Sequence, residues 1–286
     1  MPVVQSLTAS QEELLFRRER LRELVNDSDT CLTAMEKKLL ADCKAGKIGL
    51  LKTYSGLGTD LAFADSFLLR VACASENAST ALVAFLLETG KCDCRVMGDL
   101  PFQIAAIAQN IEVLITLCNH SDFAGFDDPW FVSDLAADLR ISDLVRLAST
   151  EAFQRLQDDV RKASLQTFLE SSVLNHKNWE CVEHLTESFQ GLIKLLQLGA
   201  DPRPPCTAID DAIRSENEGA FKILLLGGML YQAQLGLGRL EELTELPGFI
   251  EELLERQESL GTAGALEFLR QALSPSSQSF LSSSGS

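Results

Sequence analysis

The sequence predicts an all-α protein built from stacked pairs of helices. Two observations lead to this fold class. A junction residue followed by apolar positions recurs at Gly49, Ala81, Glu112, Asp143, Glu180 and Gly219, with steps of 32, 31, 31, 37 and 39 residues. Aromatic content is only 7%, with 2 Trp and 2 Tyr beside 15 Phe, so packing must rest mainly on Leu, Ala, Ile and Val, which suit helices. A helix, a tight turn and a second helix, repeated at near-constant spacing, define a solenoid.

The clearest copy is "GDLPFQIAAIAQNIEVL", residues 98 to 114. Gly98 can take a positive φ and tighten a turn. Pro101 suits the first turn of a helix, where its missing N–H costs nothing. Ala105 and Ala106 are small enough to let a second helix approach closely. The chain can break around Gln109 and Asn110, and "IEVLITLC" then supplies an acidic first turn and an apolar face.

These residues resemble ankyrin repeats, whose period is about 33 residues. The family pattern runs Gly, any residue, Thr-Pro-Leu-His, any residue, Ala-Ala, and closes near Leu-Leu-Leu, two residues, Gly-Ala-Asp. Gly98, Pro101, Ala105 and Ala106 match its first part, with Phe102 in the leucine position and Gln103 in the histidine position. Thr207 and Ala212 match within "TAIDDAI", and Leu195, Leu196, Gly199, Ala200 and Asp201 carry the second part. "FLLETG" closes similarly at Gly90 and "ILLLGG" at Gly228, where glycine suits the left-handed position past a helix end. No copy has a complete Thr-Pro-Leu-His, and the copy around Ala136, Ala137 and Asp143 is the most degenerate. Tetratricopeptide repeats share the period but need a Trp, Leu-Gly and Tyr signature that is absent. A non-repetitive helical domain is the other reading of the same residues.

Taken in order, residues 10 to 25 read as a helix capped by Ser10 with Glu13, so residues 1–33 form an N-terminal cap. Thr33 with Glu36 makes a second capping box and opens a solenoid of about six degenerate repeats over residues 34–231. Before Gly199 the segment is too long for one standard second helix, which places an insertion or an elongated helix pair around residues 150 to 192. From 232 to 273 the chain is acidic, with seven glutamates between Glu241 and Glu258 against one arginine, Arg256. Leu243, Leu246, Phe249, Ile250, Leu253 and Leu254 give it an apolar stripe, Pro247 marks a fresh helix start, and a last helix spans about Ala263 to Leu273. Such helices suit a cap with a polar outer face; a partner-binding module is the alternative. Residues 274–286 form a serine-rich tail that cannot build a core.

The function classes narrow by charge and chemistry. Lys and Arg total 25 against 41 Asp and Glu, a formal charge of −16. That balance repels phosphate backbones and argues against nucleic acid. No stretch approaches the roughly 20 apolar residues of a membrane span. The opening residues lack an apolar core of signal-peptide length, and the 8 cysteines show no framework spacing, so the expectation is free thiols in the cytoplasm. Cys92, Cys94, Cys118 and His120 spell a CxC…CxH set open to zinc, but Cys118 holds an apolar position in the register, and free cysteine is readily buried as a small hydrophobe. The expectation is no metal and no cofactor. The run His120, Ser121, Asp122 is not a catalytic triad, which is assembled in space, and the glycines of "GLGTD" and "LGLGRL" lack a phosphate-loop lysine. No active site is legible, and the chain reads as a non-enzyme.

The loop "NHSDFAGFDDPWF" falls where the repeat register expects an exposed finger. Its Phe123, Phe126 and Trp130 are candidates for partner binding, since aromatic anchors are common hot spots. The alternative packs them onto the adjacent repeat, and Trp179 reads as core edge. The resemblance implies binding of a partner protein through the concave face and inter-repeat loops, and the acidic charge favours a partner with a basic patch. The second functional reading is the targeting arm of a regulatory or effector protein whose residues 232–273 recruit another factor.

Overall fold

In the computed structural model, residues 19–21, 23, 32–75, 79–120, 126, 128–175, 178–179, 182–232, 237, 240, 243 and 248–273 are described. All regular structure among them is helical. The helices are α1 (Ala34–Lys44) and α2 (Ile48–Gly56), α3 (Phe63–Ala74) and α4 (Thr80–Glu88), α5 (Val96–Ile107) and α6 (Ile111–His120), then α7 (Pro129–Asp138) and α8 (Ile141–Ala148). After the short α9 (Glu151–Gln154) come α10 (Asp158–Leu174) and α11 (Val182–Leu198), α12 (Ala208–Arg214) and α13 (Glu218–Gln232), and finally α14 (Phe249–Leu273). The second helix of each pair starts within two residues of its sequence-derived junction, although Glu180 itself lies outside the described residues.

One turn joins the helices of three pairs. Gly46, Gln109 and Glu216 are left-handed, with φ of 66°, 54° and 55°. In each, this residue's N–H reaches a carbonyl three residues back (Cys43, Ala106, Ile213). The next N–H reaches five back, to Asp42, Ala105 and Ala212. These paired bonds satisfy the carbonyls a helix end leaves over. The same pairing ends α2 at Gly58 and α11 at Gly199. Asn110 and Asn217 then accept from Val113 N–H and Ala220 N–H and so cap the helix that follows. Ser79 does the same for α4 through Leu82 N–H. The capping box of Thr33 and Glu36 opens α1, and the two bonds from Thr33 lower the Glu36 pKa.

The glycine expectations held in part. Gly98 has φ 69°, but it is the centre of a left-handed run, Met97 to Asp99, and Ala64 to Ser66 make a matching run 33 residues earlier. Side chains hold these turns: Asp93 N–H donates to Ser66 Oγ at 2.8 Å, and Arg70 donates to the Ala64 carbonyl at 3.1 Å. Gly199 is left-handed as expected, whereas Gly90 and Gly228 are not. A Cβ on Gly90 would lie 2.7 Å from the Leu86 carbonyl oxygen, so glycine serves close approach there. Gly228 sits inside α13, which runs on to Gln232.

The chain divides into two compact units. The first comprises residues 1–139 and 150–156. In it α1 packs on α3, α3 on α5 and α5 on α7, while α4 packs on α6 and α9 covers α6. First helices stack on first helices and second on second. The second unit comprises residues 140–149 and 157–286. There α10 packs on α12, α8 on α11, α11 on α13, and α14 on α13. The expected single array over 34–231 is thus divided inside its fourth pair, with α7 in one unit and α8 in the other. The reason lies in α8. Arg140 gives it no side-chain cap, and the Ile141 N–H is met instead by the Oδ1 of buried Asn178 at 3.1 Å. Ile141 also lies against Gly191 of α11, where an added Cβ would come within 2.9 Å of its side chain.

The irregular stretch at 150–192 is an elongated helix pair, α10 and α11, preceded by α9. Trp179 is half-buried between them, its indole N–H donating to the carbonyls of Ser172 and Val173. In the C-terminal region α14 is broken at Gly261 (φ 69°, ψ −176°), close to the two helices expected. Phe249 stacks on Phe268 at 5.2 Å, and Leu243, Phe249, Leu253, Ala265 and Leu269 are buried. Ser10, Glu13 and the tail 274–286 lie outside the described residues.

Leu195 and Leu224 are fully buried on α11 and α13. Each truncation to alanine is expected to cost about 2–5 kcal/mol, as for other buried leucines. Urea titration checks this, and a loss under about 0.5 kcal/mol, the range of surface changes, would remove them from the core.

Candidate functional site

The aromatic loop splits into opposite environments. Phe126 is 4% exposed, and its ring meets Phe131 at 6.2 Å and Phe153 at 5.1 Å, both edge-on. Phe131 in turn meets Phe102 at 5.9 Å. Four rings thus run from α5 through α7 to α9 and pack these helices together. Phe126 is internal packing and not an exposed finger residue, which corrects that expectation. Phe123 lies outside the described residues. Trp130 is 82% exposed, and a side chain of that size left in water is unusual. Its placement follows from local sequence: Asp128 caps α7 by accepting from Trp130 N–H at 3.0 Å, and Pro129 fixes the first turn.

Trp130, Asp134 and Asp138 stand four residues apart, so α7 carries all three along one side. Phe131, Val132, Leu135 and Ala136 form its buried side. Asp134 and Asp138 line a small cleft with Phe131 and Leu135 of α7, Gln103 and Ala106 of α5, and Arg20. The floor is set by the close approach that small Ala106 permits between the two first helices. Gln103 donates to the Gly98 carbonyl at 3.4 Å and ties the cleft to the left-handed turn. Arg20 reaches Asp138 at 3.9 Å, with both side chains partly in solvent. An exposed pair of this kind contributes about 0.2–1 kcal/mol. The expected N-terminal cap therefore has a described residue at the fourth pair's first helix. The sequence reading missed Arg20, Gln103, Asp134 and Asp138, although the four-residue spacing from Trp130 was legible once α7 was known to start at Pro129.

The six described cysteines are core. Cys43, Cys73, Cys92, Cys94, Cys118 and Cys206 are buried and not disulfide-linked. Cys43 donates to the Leu68 carbonyl and Cys92 to the Leu61 carbonyl. Burial pushes the thiols of Cys43, Cys92 and Cys206 up to about 12 and raises those of Cys73 and Cys118. Thiolate is the reactive and metal-binding form. Among the described residues no three His, Cys, Asp or Glu side chains are grouped to hold a metal ion, and no helix is long and apolar enough to cross a membrane.

No family model, curated protein or solved structure matches this chain.

Two outcomes follow from these environments. Phe126→Ala is expected to cost about 3–5 kcal/mol, and Trp130→Ala no more than about 0.5 kcal/mol. Equal losses in denaturant titrations would mean that Trp130 is also structural. Iodoacetamide at pH 8 should leave the six buried cysteines unmodified in the native chain and label them after denaturation, because neutral, enclosed thiols do not alkylate. Mass-spectrometric mapping checks this; rapid native labelling of Cys92 or Cys94 would show that their loop opens.

Proposed function

We propose that this chain is a non-catalytic protein-interaction scaffold of degenerate ankyrin-like repeats, binding a partner protein through its first helices and inter-repeat loops. The stacking of first helices on first helices, the recurring left-handed turn and the match at Gly98 to Ala106 support the repeat reading. The observation that carries the binding reading is Trp130, a large apolar side chain held in solvent on a helix whose other side is core. Repeats packed this way hold a surface in place before the partner arrives, so little ordering entropy opposes binding. The negative charge favours a partner with a basic patch and speeds encounter.

The C-terminal region supports a cap more than a recruiting module. In it α14 packs on α13 and buries Leu253, Ala265 and Leu269, while Glu252, Glu255, Glu258 and Glu267 are exposed.

The immobilised full chain should retain a partner from lysate that the Trp130→Ala chain retains at least tenfold less, with unchanged melting temperature. Quantitative mass spectrometry of both eluates is the measurement. Identical protein sets on the two columns would sink the reading of Trp130 as a contact residue.

A further inference from the structure

The cleft between α5 and α7 has a chemistry of its own. One wall carries Asp134 and Asp138, Gln103 borders it, Phe131 and Leu135 supply an apolar base, and Trp130 stands one turn away on the side of α7 that bears both aspartates. Two carboxylates beside an open indole suit a guanidinium, which accepts ion pairing at its edge and stacks on an aromatic face. Lysine fits less well because it lacks the planar group. The structure already places a guanidinium here, since Arg20 lines the cleft 3.9 Å from Asp138. Arg20 belongs to the sequence "RRERLR", residues 17 to 22, with four arginines and one glutamate in a chain of net charge −16. The most basic stretch of an acidic protein therefore has its described arginine against two aspartates.

We propose that this cleft is a docking site for an arginine-bearing helical segment of a partner protein, and that the chain's own Arg20 side chain occupies it until displaced. The proposal deepens the scaffold reading by naming the partner's chemistry, and it rests on that reading only for the partner's being another protein. Arg20 is the resident stand-in for the partner's arginine. Its contact is long and solvent-exposed, so a second arginine segment with better geometry can replace it. A cleft filled part of the time by its own chain binds an external segment more weakly by the fraction of time it is open.

The test uses a fluorescein-labelled synthetic peptide of residues 14–25, LLFRRERLRELV, and fluorescence anisotropy with three full-length chains. The Arg20→Glu chain, whose resident side chain is repelled, should bind the peptide about two- to sixfold tighter than the unaltered chain. Adding Asp134→Lys and Asp138→Lys to Arg20→Glu should abolish binding. All three changes are on partly exposed side chains, and melting curves of the three chains should coincide. Equal affinity for the unaltered and Arg20→Glu chains would overturn the proposal, as would binding that survives the lysine pair. No binding to any chain would likewise overturn it and make Arg20 a fixed part of the fold. The scaffold reading fails separately: a lysate partner lost with Trp130 but indifferent to Asp134 and Asp138 keeps the scaffold and removes the arginine site, while peptide binding with no Trp130-dependent partner does the reverse.

Discussion

A helix that stops must dispose of its last carbonyls, and in this chain one solution to that problem sets the positions of most other parts. A single residue turns left-handed, two N–H groups fold back onto the helix just ended, and the next helix begins within one or two residues, capped by an asparagine in two of the three cases. The turn at Gly46, Gln109 and Glu216 fixes both where the second helix starts and which side it presents. Glycine meets this demand without steric cost, whereas Gln109 and Glu216 each give up about 1–2 kcal/mol to adopt it. That cost is tolerated because the alternative is several unpaired carbonyls beside a packed interface. Once the turn is set, small residues such as Ala72, Ala105 and Ala136 fall on the contact side of α3, α5 and α7, and all three are buried.

Much of this was legible because it is local. The six junctions emerge from spacing alone, and each matches the start of a second helix. The capping box at Thr33 and the elongated pair before Gly199 follow from residues close in sequence. The failures come from information that is not local. Phe126 lies in a segment of loop composition, and its burial depends on Phe131 and Phe153, which sequence does not show to be neighbours. Gly90 and Gly228 follow the apolar runs that predict a left-handed helix end, yet close approach governs the first and helix continuation the second. Nothing in residues 64 to 66 announces a left-handed run, because none of the three is glycine. The surface was the least legible part. Trp130 was found for its type, but the aspartates beside it draw meaning only from the helix that aligns them with Arg20.

Burial also settles what the cysteines are. Their spacing between residues 92 and 120 allows a metal set on paper, and the fold puts the thiols into separate packing roles under carbonyls and apolar side chains. Raised thiol pKa values then follow from the loss of water, as does resistance to chemistry that needs the thiolate. Few ionic groups share that interior: among the described residues Asp42, Arg70, Asp99 and Asp211 are the buried charged side chains.

The start of α8 has a consequence in time. Its first N–H is paired by Asn178, 37 residues further along the chain. During synthesis from the N-terminus, the pairs α1–α2, α3–α4 and α5–α6 can each form from neighbouring residues as they emerge. By contrast, α8 closes its first turn locally, with the Asp143 and Leu144 N–H groups donating to the Arg140 carbonyl, but its Ile141 N–H is paired only once Asn178 has been made and brought back over the intervening chain. What comes late in the second unit is therefore the docking of α8, marked by the Ile141–Asn178 bond and the contact of Ile141 with Gly191, and not the helix itself.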